Sequence, residues 1–320
     1  MNNITSDKMF GYIERIQEGH NRPITADVFI TNYCNNNCPY CTYKRWELGQ
    51  GARFMRYVDF VMYAGRMREI GVQGLILTGG GEPILNPDFL AITGWLEIHS
   101  FPYGINTNFN KFEKFKPNYM KVSLDGYDPE SYRMRRGVDA YERVVQNIKE
   151  YAEWAREESP ETTIGIQCIA EDVDWIKRFY ETNCVLDVDY IVFRPVESTG
   201  GRYYTPEYRK AMARRIVATI KELAEIDSRV TLNFKWNMLN WREKDCSAQW
   251  AQIAVNELGE VMYCCHKPYE IVGFIMDDDI LEKKARATTD ISMCDVPCRM
   301  TAPNNFVAQV LKERKDPYFI

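Results

Sequence analysis

The sequence predicts an α/β fold, a curved and partly open barrel of six parallel strands followed by a small cysteine-rich region. Three observations carry that expectation. Over the first 235 residues, short β-branched or aliphatic runs alternate with longer amphipathic stretches, the rhythm of βα units around a parallel sheet. After Asn233 the rhythm stops, and a stretch rich in Trp, Cys and Asp follows with no long helix expected before the end. The chain of 320 residues, 45% hydrophobic and 27% charged, has the composition of an ordinary packed globule that can bury its own core without disulfides.

Strands are expected at Asp27 to Thr31, Gly74 to Thr78, Tyr103 to Thr107, Tyr119 to Asp125, Thr163 to Ala170 and Asp189 to Arg194. Helical patterns fill the gaps at Val58 to Ile70, Asp88 to Ile98, Ala140 to Arg156, Val173 to Tyr180 and Pro206 to Ile226. The last is the clearest, because Pro206 suits a first helical position and Ala211, Ile216, Ile220 and Leu223 recur near helical spacing. The expected organisation is an N-terminal extension over 1–25, a barrel over 26–236 and a C-terminal region over 237–320, with no internal repeat.

Charge and hydropathy exclude several classes. Forty basic against 45 acidic residues give a net charge of −5, without the Lys/Arg block that tracks a phosphate backbone, so generic nucleic-acid binding is not expected. No apolar run approaches the roughly 20 residues that span a bilayer, and the opening MNNITSDKMF lacks the core of a secretory signal. No membrane association and a cytoplasmic location are therefore expected. Disulfides are rare in that compartment, so the spacing of ten cysteines is read for metals before bridges.

Directly after the first expected strand, Cys34, Cys38 and Cys41 share one short loop with the spacing CxxxCxxC. Three thiolates on a four-iron cluster leave one iron without a protein ligand, and that corner can chelate a small molecule. A zinc site usually closes with a fourth ligand, and none lies nearby, since His20 precedes the loop and His99 is far downstream. On this loop, with Tyr40 as the aromatic residue before the third cysteine, the chain resembles the radical SAM superfamily. The resemblance implies a partial (β/α)6 TIM-like barrel in which Cys34, Cys38 and Cys41 bind a [4Fe-4S] cluster. The open iron would hold S-adenosylmethionine, and one electron would cleave it to methionine and a 5'-deoxyadenosyl radical. By the same resemblance, Gly79-Gly80-Gly81-Glu82-Pro83 at the end of the second strand looks like the GGE motif that holds the methionine amino group. Glycines let backbone approach a ligand, and an ammonium needs a carboxylate or carbonyl acceptor.

Strand parity extends the site. Met120, Val122 and Leu124 should face the helices, which leaves Lys121, Ser123 and Asp125 for the lumen; Asn106 and Asn108 should point in, with Ile105 and Thr107 outward. On the fifth strand Ile164, Ile166 and Cys168 share the outer face and Gln167 the inner, and on the sixth Arg194 points inward with Glu197 just beyond. The resemblance makes Ser123 the ribose contact, with Asp125 and Asn106 nearby, and Gly165 and Gln167 part of the adenosyl site. Arg194 and Glu197 are candidates for substrate contact or an internal ion pair. The run Arg133-Met-Arg135-Arg136-Gly137 reads as a solvated helix end, although basic residues there could meet a carboxylate of the cofactor or substrate.

In the C-terminal region Cys246, Cys264, Cys294 and Cys298 supply four thiols. The stretch from Ile253 to Cys264 reads as two strands joined at Gly259, which folds Cys264 back toward Cys246. Four thiolates complete a [4Fe-4S] cluster or a zinc site. The arrangement resembles the SPASM/Twitch subgroup and implies an auxiliary [4Fe-4S] cluster, with Cys264 preferred over Cys265 for its spacing from Gly259. Cys168 and Cys184 read as small buried hydrophobes.

The function so implied is a radical enzyme that abstracts a hydrogen atom from a small molecule of sugar, aminoglycoside or nucleoside type, fed by an electron donor such as flavodoxin or ferredoxin. The auxiliary cluster would handle the second electron or the substrate. Only about 25 residues precede the first strand, too few for a leader-binding domain, which weighs against the alternative of a peptide-modifying maturase. A third alternative is a non-catalytic protein that keeps its metal clusters or a zinc as folding staples.

Overall fold

The computed structural model describes residues 9–19, 22–41, 43, 51–199, 206–233, 235–236, 239 and 245–311. The strands in chain order are β1 (Thr25–Phe29), β2 (Gly74–Thr78), β3 (Tyr103–Thr107), β4 (Tyr119–Ser123), β5 (Thr163–Ile169), β6 (Tyr190–Arg194), β7 (Ser198–Thr199), β8 (Val230–Leu232), β9 (Gln252–Val255), β10 (Glu260–Met262), β11 (Ile271–Phe274) and β12 (Asp295–Val296). Ten of them form one sheet in the order β11-β10-β9-β1-β2-β3-β4-β5-β6-β8. From β9 through β1 to β8 every neighbour is parallel, so this is the expected α/β barrel architecture, with two more parallel strands than the sequence suggested.

Helices Tyr57–Glu69, Phe89–Ile98, Tyr141–Glu158, Val173–Asn183 and Pro206–Ile226 lie where the periodicity put them, within a few residues. One helix that the pattern did not resolve, Pro129–Arg136, starts at Asp128. The Asp128 carboxylate accepts from Ser131 N–H, the Ser131 hydroxyl returns to the cap, and Pro129 occupies the first turn. The first strand begins and ends two residues earlier than expected, and Thr31 instead bridges to Phe54.

The parity argument holds along the core strands. Ile105, Met120, Val122, Leu124, Ile164, Ile166 and Cys168 are all buried against the helices. Cys184 differs, being half-buried at the end of Val173–Asn183 rather than in the core. The lumen has a floor that the sequence did not reveal. A Cβ at Gly104 would meet the Tyr119 ring at 1.9 Å, and one at Gly165 would meet the Tyr190 ring at 2.0 Å, so each glycine makes room for an aromatic ring from the next strand. The space a side chain at Gly165 would need is thus taken by the Tyr190 ring.

The C-terminal hairpin forms as expected, with β9 and β10 antiparallel around a turn at Gly259, whose φ of +80° is left-handed. Its β9 runs parallel beside β1, so the sheet continues through the point near residue 236 where a division was expected. The expectation of no long helix after Asn233 is corrected by Thr301–Val310, ten residues long. Pro303 sits in the first turn, where a proline is tolerated, and Ala302, Phe306 and Val307 form an apolar face. That face packs on Met9 and Ile16 of the N-terminal segment, with the Phe10 and Phe306 rings 5.3 Å apart. Among the described residues no helix is long and apolar enough to cross a membrane.

Candidate active site

The loop after β1 is anchored at each of its asparagines. Asn37 N–H donates to the Arg136 carbonyl (2.9 Å), Asn108 Nδ2 to Asn35 Oδ1 (2.7 Å), and Asn110 Nδ2 to Asn36 Oδ1. The thiols of Cys34, Cys38 and Cys41 line the mouth of one cavity of about 450 Å³ that extends down the lumen. Cys34 is exposed by area, yet its recessed sulfur is desolvated, which pushes the thiol up to about 12, with Glu82 and the two other cysteines adding to the shift. Burial pushes Cys38 up as well, against the pull of Arg136. Such thiols ionise only when a positive centre meets them.

The glycine run stands beside this loop. Glu82 N–H donates to the Tyr33 carbonyl (2.8 Å), and a Cβ at Gly81 would lie 2.1 Å from that same oxygen. Gly81→Ala is therefore expected to push the two loops apart. An iron assay after anaerobic reconstitution should show about four irons lost per chain, with far-ultraviolet circular dichroism unchanged. Gly79, Gly81 and Glu82 line the cavity, whereas Gly80 does not. Both Glu82 oxygens are taken by protein donors: Thr107 Oγ1 and Ile84 N–H reach Oε1, and Asn108 N–H reaches Oε2. The carboxylate thus ties the end of β2 to the end of β3, and Thr107, expected outward, turns to it.

Asn106, Ser123, Asp125 and Gln167 all line the lumen. Asn106 Nδ2 donates to Thr78 Oγ1 (3.1 Å), while its buried Oδ1 has no hydrogen-bond partner. Asp125, at φ +56°, accepts from Ile169 N–H (2.7 Å) and pairs with Arg136 Nη1 (3.0 Å), so its carboxylate is committed within the protein. The solvated reading of the arginine run is overturned at two of its three positions. Arg133 is exposed, but Arg135 is buried and paired with Glu171, and Arg136 holds Asp125. Tyr40 joins the first of these pairs, donating to Glu171 (2.7 Å) and accepting from Arg135 Nη1 (2.9 Å).

Deeper in the lumen the wall is formed jointly by the barrel and the C-terminal region. Arg194 and Glu197 do form an internal ion pair, and Lys235 also reaches Glu197. His266 Nε2 lies 3.6 Å from the same carboxylate. Asp27, a carboxylate inside an otherwise apolar strand, is fully buried and paired with Arg299. Sequence reasoning passed over Asp27, Lys235, His266 and Arg299. The signals were an acid in the run Thr-Ala-Asp-Val-Phe and a basic residue directly after Cys298.

The second group of cysteines separates Cys264 from its neighbour. Burial pushes Cys264 up to about 12, with the nearby Cys298 adding to it. Cys246 is likewise pushed up to about 11 by burial, with Cys298 and Cys294 adding. Cys265 is buried beside Phe29 and Met262 on the cavity wall, with Arg299, His266 and Asp27 as its electrostatic neighbours. Tyr43 donates its hydroxyl to the Cys265 carbonyl and packs edge-on against Phe29. Among the described residues no three His, Cys, Asp or Glu side chains are gathered tightly enough for a single metal ion.

Residues 28–182, just under half of the chain, match the Radical SAM superfamily, so that stretch carries a radical SAM domain. A protein of Pyrococcus horikoshii named probable GTP 3',8-cyclase is 29% identical over 136 residues, 40% of this chain and 43% of that one. This chain thus spans less than half the length of the first curated relatives it matches. Streptococcus suis SuiB, solved bound to precursor peptide SuiA, superposes with a TM-score of 0.65 at 14% identity, covering 94% of this chain and 78% of the other. The anSMEcpe chain solved with bound AdoMet gives 0.55 at 17% identity, covering 91% and 84%. At those identities the likeness is one of fold.

Proposed function

We propose that the enzyme abstracts a hydrogen atom from a small polar substrate lodged in the lumen between the Cys34/Cys38/Cys41 loop and the C-terminal cysteines. The observation that carries this reading is the single cavity, whose wall runs from those three thiols past Gly81, Asn106 and Ser123 to Cys265, His266 and Arg299. Three thiols on one loop, Cys34 and Cys38 among them desolvated, suit a cubane in which each thiolate would take its own iron. On the same cavity wall, Gly79, Gly81 and the unpartnered Asn106 oxygen would offer acceptors for an ammonium or hydroxyl of S-adenosylmethionine. When bound and reduced, the cluster supplies the electron that splits the sulfonium into methionine and a 5'-deoxyadenosyl radical.

The protein's own part is to hold and enclose. Glu82 and Asp125 lock the strand ends that shape the cofactor side, Ser123 and Gln167 offer polar contacts, and the Tyr119 and Tyr190 rings close the bottom against water. Arg194 and Glu197 contact the substrate as a pair held by Lys235. Cys246, Cys264, Cys294 and Cys298 would take an auxiliary [4Fe-4S] cluster of the SPASM/Twitch kind, and Lys284, buried in the field of Cys264 and Cys246, donates to the Tyr263 carbonyl. A reduced carrier of flavodoxin or ferredoxin type delivers electrons. A small molecule is favoured over a peptide because a cavity of about 450 Å³ must admit both the cofactor and the substrate, and because relatives are named for a reaction on a nucleotide.

Anaerobic reconstitution tests the reading. The native chain should hold about eight irons, two cubanes, and form 5'-deoxyadenosine with dithionite as reductant. Cys264→Ala should drop to about four irons and Cys265→Ala should keep all eight; the opposite result would move the ligand to Cys265.

A further inference from the structure

Basic side chains outnumber carboxylates where the barrel wall meets the C-terminal region. Four cationic side chains line the cavity there, Lys121, Arg194, Lys235 and Arg299, against two carboxylates, Asp27 and Glu197. Arg299 is paired with Asp27, and Arg194 and Lys235 share Glu197. Lys121 makes no hydrogen bond or ion pair with any described residue. The cations nearer the cysteine loop are already met by acids, Arg135 by Glu171 and Arg136 by Asp125.

Lys121 lies two positions before Ser123 on the lumen face of β4. At about 3.3 Å per residue it stands roughly 6 to 7 Å farther than Ser123 from the strand end where the cofactor binds. Its surroundings disfavour charge, since desolvation and the fields of Arg194, Lys235 and Arg299 hold the ammonium down to about 7. An enclosed cation among cations is costly until an anion meets it.

Resting on the function proposed above, we infer that the substrate carries an oxyanion, a carboxylate or a phosphate, and that the Lys121 ammonium binds it on the floor side of the lumen. The group gives the Lys121 ammonium the partner that no described side chain supplies, and it fixes the substrate below the cofactor with its other end toward the thiol loop. A neutral sugar would leave Lys121 unmet when the cavity closes over it.

The test titrates the reconstituted, S-adenosylmethionine-loaded enzyme with inorganic phosphate in one arm and succinate in the other, by isothermal calorimetry. The native enzyme and Lys121→Arg should bind one equivalent of at least one anion, and Lys121→Met should bind it roughly 10- to 100-fold more weakly, the range for a charged hydrogen bond. Whichever anion binds more tightly assigns the substrate's group as phosphate or carboxylate. Melting curves of Lys121→Met and Lys121→Gln separate lost binding from a lost fold. The inference is overturned if neither anion binds the native enzyme, or if Lys121→Met binds as tightly as the native enzyme. It is also overturned if the substitution weakens S-adenosylmethionine instead, which would give the ammonium to the cofactor's own carboxylate. Formation of 5'-deoxyadenosine by the same native sample reports on the proposed function separately. Its absence would remove that function, whereas its presence without anion binding would remove only the charge on the substrate.

Discussion

Cys38→Ala is expected to abolish 5'-deoxyadenosine formation and to lower the iron content from about eight to about four per chain, while the polypeptide stays folded. The physical reason is local. Cys38 is half-buried, and its sulfur makes one weak contact, 3.7 Å from the Arg136 carbonyl, so truncating it removes little packing. The loop itself is held by the Asn35, Asn36 and Asn37 contacts, which the substitution leaves intact. Two thiolates cannot retain a cubane that three hold with a corner open. Product analysis by chromatography, iron assay and circular dichroism together check the result. A variant that unfolds would show the cluster to be a staple of the fold, and one that still forms the nucleoside would remove Cys38 from the ligand set.

The second large effect is on stability. Arg299→Met is expected to cost about 3 to 5 kcal/mol, because it strands the Asp27 carboxylate at a fully buried position with one of its oxygens already lacking a hydrogen bond. At roughly 2 °C per kcal/mol for a chain of this size, the melting temperature should fall by about 6 to 10 °C. The double variant Asp27→Asn with Arg299→Met should recover most of that loss, since the stranded charge is gone. A single variant that melts within about 1 °C of the native chain would show that water reaches Asp27. The pair also joins β1 to the segment carrying Cys298, so its loss should loosen the wall between barrel and C-terminal region.

Much of the barrel was legible because local chemistry and tertiary role coincide there. A parallel strand buried on its outer face must be apolar at alternate positions, so Met120, Val122 and Leu124 disclosed which residues look inward. Cys34, Cys38 and Cys41 were legible because ligands on one loop must be close in sequence. The arginine run illustrates the opposite case. A basic helix end looks the same whether water or a buried carboxylate meets it, and Arg135 and Arg136 were placed only by partners 36 and 11 residues away, Glu171 and Asp125. Glu82 likewise carries a motif glutamate's identity, but its carboxylate is spent on β3 donors that no spacing rule connects to it.

From the sequence alone came the alternation of strands and helices, the thiol loop with its vacant fourth position, the glycine run and the Gly259 hairpin, each encoded within a few dozen neighbouring residues. Tertiary structure alone decided that β9 joins β1, that Tyr119 and Tyr190 floor the lumen over Gly104 and Gly165, and that Lys121 stands among cations. Those features arise where strands distant in sequence meet, and the energy of a buried charge depends on every group around it rather than on the residues beside it in the chain.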